Sequence, residues 1–268
     1  MLSNFHIPTV YFQDETGNVQ KQINLLFNEQ VPAIVIKQFF NQQQCQSVVS
    51  KAWEHDFFWL KKPLLGRIGA TLAQFHLQED GEQNYFTVSK QINSVLDWLY
   101  AESGSPLEAL SNLLSPDYET SVAYDPDFQA HYAAGMVQIQ INQGKVHTDK
   151  VSIETPHWTI GKIVKTQFSS VLYLQMPDAD GALELYNRQW QESDINFAFS
   201  PDPRVRKGVE DMLVDGCQKV VYQPKMGDML ILNTSFYHRV RASEGENPRM
   251  VGMSFLGMTE EGKILYFM

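Results

Sequence analysis

The feature that most limits how this chain can fold is the series of short, separate apolar segments that begins after Pro126. Met136-Val-Gln-Ile-Gln-Ile-Asn142 alternates apolar and polar side chains, the period-two pattern of a half-buried strand, and Gln143-Gly144 reads as a turn behind it. Further runs at Ser169 to Met176, Ala182 to Tyr186, Lys219 to Tyr222, Asp228 to Asn233 and Met250 to Gly257 are each bounded by Pro, Gly, Asp or Asn. Strands at this density, joined by turns and one insertion at 187–218, argue for a β-sandwich or barrel of the jelly-roll class.

The first 125 residues read differently. Val31 to Phe40 is apolar and β-branched, a buried strand, and Asn41 with Gln44 three positions on forms a capping box that starts a helix running to about His55. Ile92, Val95, Leu96 and Leu99 have helical spacing within Val88 to Glu102, and Pro106 opens a shorter helix to Leu114. No Ser/Gly/Pro-rich linker separates the two parts. The expectation is an α+β, mainly β chain forming one domain over 1–268. In it, a helix-rich support at 1–125 buttresses a jelly-roll core at 126–268.

Composition excludes several functions. With 21 basic and 31 acidic residues the net charge is -10, the wrong sign for a nucleic-acid backbone or an anionic membrane surface. The N-terminus lacks a basic region followed by an apolar one, and no stretch approaches the roughly 18 apolar residues of a membrane span. Cys45 and Cys217 are far apart and form no CxxC, so no disulfide framework or thiolate zinc site is expected. A cytoplasmic protein with a small-molecule substrate is the reading.

Seven histidines stand at 6, 55, 76, 131, 147, 157 and 238. His147 lies in Val146-His147-Thr148-Asp149, where extended chain points imidazole and carboxylate the same way. They supply two-thirds of a 2-His-1-carboxylate triad, which leaves three positions of a ferrous ion open. His238, just beyond the Gly227 to Asn233 turn and strand, is the candidate for the second imidazole. Arg249 opens the next strand and shares a face with Met253; its fixed fork of N–H donors suits a dicarboxylic co-substrate better than a lysine would. His6, His55, His76 and His131 read as surface or core residues. Asp228 reads as a turn residue, and the methionines as adaptable core filler.

His147-Thr-Asp149, His238 and Arg249 resemble the Fe(II)- and 2-oxoglutarate-dependent oxygenases, whose fold is a double-stranded β-helix. Ser170 to Asn187, Pro224 to Asn233 and Tyr237-His-Arg-Val240 are similar to the subgroup containing the aliphatic halogenases of indole-alkaloid biosynthesis. The likeness spans roughly 130–268, and more loosely 31–55. It implies Fe(II), 2-oxoglutarate and O2 as cofactor and co-substrates, with His147, Asp149 and His238 as metal ligands and Arg249 pairing with the distal carboxylate of 2-oxoglutarate. Gln138 falls near a polar position of the subgroup that helps bind the co-substrate, and Tyr173 and Ser254 are further candidates. Those halogenases carry glycine where this chain has Asp149, so the resemblance implies hydroxylation of an unactivated C–H bond rather than chlorination.

The loop at 151–158 follows the metal motif, which makes His157 and Trp158 candidate substrate contacts; Trp190, Phe197 and Phe199 in the insertion are candidate lid residues. Desaturation or oxidative cyclisation would use the same residues. A prolyl-type peptide hydroxylase would need a groove for which the sequence has no sign. A silent β-barrel binding module is the non-enzymatic rival, and the intact triad argues against it.

Overall fold

The structure, a computed structural model, describes residues 1–13, 16–61, 65–195 and 209–268. Its core is a double-stranded β-helix, the jelly roll, in a mainly β chain with supporting helices. The large sheet runs in the order Thr9–Tyr11, Ala33–Lys37, Met229–Asn233, Thr166–Gln175, Arg249–Met258, Met136–Gln140, Leu65–Ile68 and Phe58–Lys61. Ile264–Phe267 also pairs with Arg249–Met258. Facing it is a small sheet of Lys219–Tyr222, Leu183–Gln189 and Phe236–Val240, which His147 extends through an isolated bridge to His238.

Helices cover the outer face of the large sheet. Asn41 caps Gln42–Glu54 through the reciprocal pair with Gln44, both bonds 2.9 Å, and Cys45, Val48 and Ala52 are its buried stripe. Gly81–Tyr100 begins seven residues before the expected start, because Tyr85 and Phe86 pack inward ahead of the Ile92 repeat. Ser105 caps Pro106–Leu114.

The N-terminal part is more than a helical support, since four of its strands extend the large sheet at both ends. Thr9–Tyr11, Phe58–Lys61 and Leu65–Ile68 are three or four residues long, too short to show a period. Met136–Gln140 is buried on both faces rather than half-buried, because its polar side chains point into a cavity. Gln143-Gly144 is not a turn: the Gly144 N–H donates to the Val240 carbonyl and the chain continues irregularly to His147.

At Gly227, where φ is +82°, an added Cβ would run into the Phe40 carbonyl oxygen, so only glycine fits this turn. Asp228 does more than turn the chain, since its carboxylate accepts from Lys37, Tyr222 and the Lys225 N–H.

Candidate active site

The cavity that matters lies between the two sheets. Its volume is about 210 Å3, and Val171, Leu183, Leu230, Leu232, Met253 and Phe255 give it an apolar lining. A larger cavity of about 770 Å3 lies across the large sheet, against Gly81–Tyr100 and Pro106–Leu114. It contains none of the triad residues, so size is a poor guide to the site here.

His147, Asp149 and His238 converge on the smaller cavity, with one ligand atom from each lying within 4.8 Å of the others. Asp149 Oδ1 is 3.9 Å from His147 Nε2 and Oδ2 is 3.5 Å from His238 Nε2. The segment holding the first two is not a regular strand as expected from the alternation. Only His147 bridges, exchanging backbone bonds of 3.0 and 2.9 Å with His238, while the Asp149 N–H donates to Thr234. His238 sits within the strand Phe236–Val240 rather than beyond a strand end. The intervening turn is closed by Asn233 Oδ1, which accepts from the Ser235 N–H and hydroxyl at 3.0 and 2.6 Å.

The imidazole tautomers follow from their partners. His147 Nδ1 is 2.8 Å from the Lys145 carbonyl and His238 Nδ1 is 2.9 Å from the Phe236 carbonyl. A carbonyl only accepts, so each Nδ1 carries a proton and Nε2 is the ring atom each histidine turns towards Asp149. Burial and the neighbouring His238 both push His147 below the ordinary imidazole range, against the raising effect of Asp149 and the Lys145 carbonyl. Burial would raise Asp149, but His147, His238 and Arg67 outweigh it and hold the carboxyl below its usual range. Two imidazoles and a carboxylate, each imidazole held from behind by a backbone acceptor, form a donor set that fits a ferrous ion.

The other half of the cavity fits a dicarboxylate. Arg249 is 4% exposed and its guanidinium stands 5.1 Å from the Tyr173 ring centroid, yet its buried Nε has no hydrogen-bond partner. A buried, unpaired guanidinium donor is costly unless a ligand supplies the acceptor. Ser169, on the same face, likewise has a buried hydroxyl without a partner. Gln138 and Tyr173 are register neighbours of Val251 on either side, which brings both into the cavity beside Arg249.

Three expected residues stand elsewhere. Ser254 is an odd number of residues from Arg249, so it falls on the opposite face of the strand, where its hydroxyl donates to the Ala134 carbonyl at 2.6 Å. Trp158 is buried against Tyr85 and Phe86, with centroids 5.4 and 6.4 Å away, and does not line the cavity. His157 is exposed beside it. Trp190 has the Lys150 ammonium 4.4 Å over its ring; Phe197 and Phe199 lie outside the described residues.

Two charged groups in the cavity escaped the sequence reading. Arg67, on Leu65–Ile68, lies in a cross-sheet row with Gln138 and Val251, and its Nε donates to Gln138 Oε1 at 2.9 Å. Burial lowers its pKa and the nearby Asp149 raises it in part. Glu154, on the helix Val151–Glu154, is pushed up to about 7 by burial and by Asp149. A four-residue strand, and a carboxylate on one helical turn, leave no periodic signal.

Between two sheets of a jelly roll, a His-Asp-His triad beside a buried arginine defines a 2-oxoglutarate-dependent non-haem iron oxygenase, with Fe(II), 2-oxoglutarate and O2 as its cofactor and co-substrates. Residues 11–268 match the family described as carrier-protein-independent halogenase WelO5, and the chain belongs to that family. A curated relative, leucinostatins biosynthesis cluster protein S of Purpureocillium lilacinum, is 24% identical over 204 residues, covering 73% of this chain and 80% of the relative. The fold is similar to that of an N-substituted L-amino acid dioxygenase from Burkholderia ambifaria AMMD, solved in complex with alpha-KG. Its TM-score is 0.68 at 15% identity, with 93% of this chain and 91% of the other covered. A 2OG-Fe(II) oxygenase family oxidoreductase from Burkholderia pseudomallei aligns with a TM-score of 0.50 at 10% identity, over 92% and 94% of the two chains. No helix among the described residues is long and apolar enough to cross a membrane.

Proposed function

We propose that this enzyme hydroxylates an unactivated C–H bond of a small molecule, and that it does not halogenate. The observation that carries the reading is Asp149: its carboxylate stands between the two imidazoles at ligand distance, where a halogenating relative needs an open position for halide.

His147, Asp149 and His238 would hold the metal, and the Nδ1 bonds to Lys145 and Phe236 would keep both rings aimed at it. Arg249 would pair with the distal carboxylate of 2-oxoglutarate, its free Nε taking one oxygen while Tyr173 fixes the guanidinium plane. Gln138 would orient the same ligand. Bound there, iron with 2-oxoglutarate and O2 supplies C–H oxidation coupled to decarboxylation to succinate. The apolar walls exclude bulk water, and the cavity's shape decides which carbon is presented. The name of the fungal relative places a family-like protein in a biosynthetic cluster, which favours a specialised metabolite or an amino-acid building block as substrate.

The test is anaerobic addition of Fe(II) and 2-oxoglutarate, followed by turnover with chloride present. A visible metal-to-ligand charge-transfer band and products gaining oxygen alone are expected. A chlorinated product would overturn the reading of Asp149, and a folded protein with no band would remove the enzymatic reading.

A further inference from the structure

The iron and 2-oxoglutarate, taken with the proposed ligands, leave two charges in the cavity unused. Arg67 spends only its Nε, on Gln138; its two terminal nitrogens make no hydrogen bond among the described residues, and Asp149 acts on it only as a nearby charge. Glu154 has no cationic partner among them either, although it lines the same cavity as Arg67, Asp149 and Arg249. The two are not paired with each other.

The register shows that Arg67 does not simply duplicate Arg249. Leu65, Gln140 and Arg249 share one row across three strands, while Arg67, Gln138, Val251 and Tyr173 form the next. Arg67 is therefore two strands from the strand of Arg249, a lateral separation of roughly 10 Å between backbones. Arginines rooted two strands apart can each take a separate carboxylate.

Charge balance points the same way. Iron(II) and both arginines, set against Asp149, doubly ionised 2-oxoglutarate and an ionised Glu154, sum to zero, so a substrate that enters without leaving an uncompensated buried charge must itself be net neutral. A molecule with one carboxylate for Arg67 and one ammonium for Glu154 meets that condition.

We propose that Arg67 and Glu154 select a substrate carrying both a free carboxylate and a free amine, an amino acid rather than a neutral polycyclic metabolite, with the carboxylate on the Arg67 fork and the amine on Glu154. This rests on the oxygenase reading above and specifies its substrate class. The fork geometry favours arginine over lysine for the anionic end.

The experiment titrates the anaerobic Fe(II) and 2-oxoglutarate complex with free L-amino acids, their amides and their N-acetyl derivatives, reading binding as a shift of the charge-transfer band. At least one amino acid should perturb the band, and its amide and N-acetyl forms should bind about tenfold more weakly or worse, the scale of one lost charge-assisted contact. Arg67→Met should erase the preference for acid over amide, Arg67→Lys should restore part of it, and Glu154→Gln should erase the preference for free amine over N-acetyl. Glu154→Gln should keep the unperturbed band at wild-type 2-oxoglutarate concentrations, and the Arg67 variants, which release only the bond to Gln138, should raise that concentration far less than Arg249→Ala. The proposal is overturned if no free amino acid shifts the band, if amides or N-acetyl forms bind as tightly as the free acids, or if Arg67→Met weakens 2-oxoglutarate as much as Arg249→Ala does. A complex that forms no band at all would count against the oxygenase reading rather than against Arg67.

Discussion

Two clusters of carboxylate and cation lie on opposite faces of the small sheet, and they are built to opposite rules. Leu183 faces the cavity, and the next residue, Glu184, points outward into a saturated network. Its carboxylate accepts from Tyr186 at 2.7 Å, Lys219 at 2.8 Å, Arg239 at 2.6 Å and Arg241 at 2.8 and 3.0 Å. On the cavity face, Arg249 Nε has no partner, the terminal nitrogens of Arg67 make no hydrogen bond among the described residues, and the Glu154 carboxylate has only the Lys150 backbone N–H and no cation. The group at the centre of each set is buried, Glu184 at 2% exposure and Arg249 at 4%, so burial alone does not distinguish them. Unfilled bonding capacity does, because a fold that only needs stability has no use for it.

The sharpest break of the comparison comes from the triad. Asp149→Ala should lower Fe(II)-dependent turnover by at least about 100-fold, beyond the 10–100-fold that loss of a supporting partner costs. The metal-free protein should melt within about 2 °C of wild type, since Asp149 contributes donors to a metal rather than to the core. Full activity in the variant would remove Asp149 from the ligand set.

Arg249→Ala should act next most strongly, raising the 2-oxoglutarate concentration needed for half-maximal succinate release by about 10–100-fold, the worth of a charge-assisted fork. An unchanged concentration dependence would show that the unpaired Nε serves something else. On the outer face the expected effect is of a different kind. Glu184→Gln should leave turnover intact but destabilise the fold by about 2 kcal/mol. That is below the 3–5 kcal/mol of a fully buried broken pair, because Lys219 and Arg241 are 43% and 36% exposed and can rehydrate. Thermal denaturation about 5 °C below wild type is the corresponding reading.

The same contrast explains what the sequence disclosed. The capping box at Asn41 and Gln44, the proline-started helix and the strands around Thr166–Gln175 and Arg249–Met258 were legible because each is long enough to show a period or carries its own local bonds. His147, Asp149, His238 and Arg249 were legible as a set because their residue types have few reasons to recur in that order. Ser254 was misplaced by one step of alternation, and Trp158 by assuming that proximity in sequence to Asp149 means proximity to the cavity; the turn at Thr155 directs its ring into the aromatic core instead. Arg67 and Glu154 carry no local signal at all. Their place depends on strand register and on one helical turn, which only long-range packing fixes.

The two faces should also titrate in opposite directions. Glu184 is buried, which alone would raise it, but its four donors hold it well below the usual carboxylate range. The unfolded chain therefore takes up the proton first as pH falls below about 4.3, and stability present above that pH is lost towards the depressed folded value. Glu154 is raised to about 7, so the unfolded chain loses its proton first as pH rises, and stability present below about 4.3 is lost up to about pH 7. In metal-free protein, Glu184→Gln should thus be less stable than wild type at neutral pH, with the gap closing below about pH 4.3. Glu154→Gln should be the more stable protein at pH 8, by about 1 kcal/mol after allowing for its partial hydration, with the gap closing as pH falls from about 7 to about 4.3. Denaturant melts of the three proteins across that range measure both gaps at once. Parallel curves for Glu154→Gln and wild type would mean that the cavity carboxylate finds a counter-charge in the free protein, and that the two faces differ less than their bonding suggests.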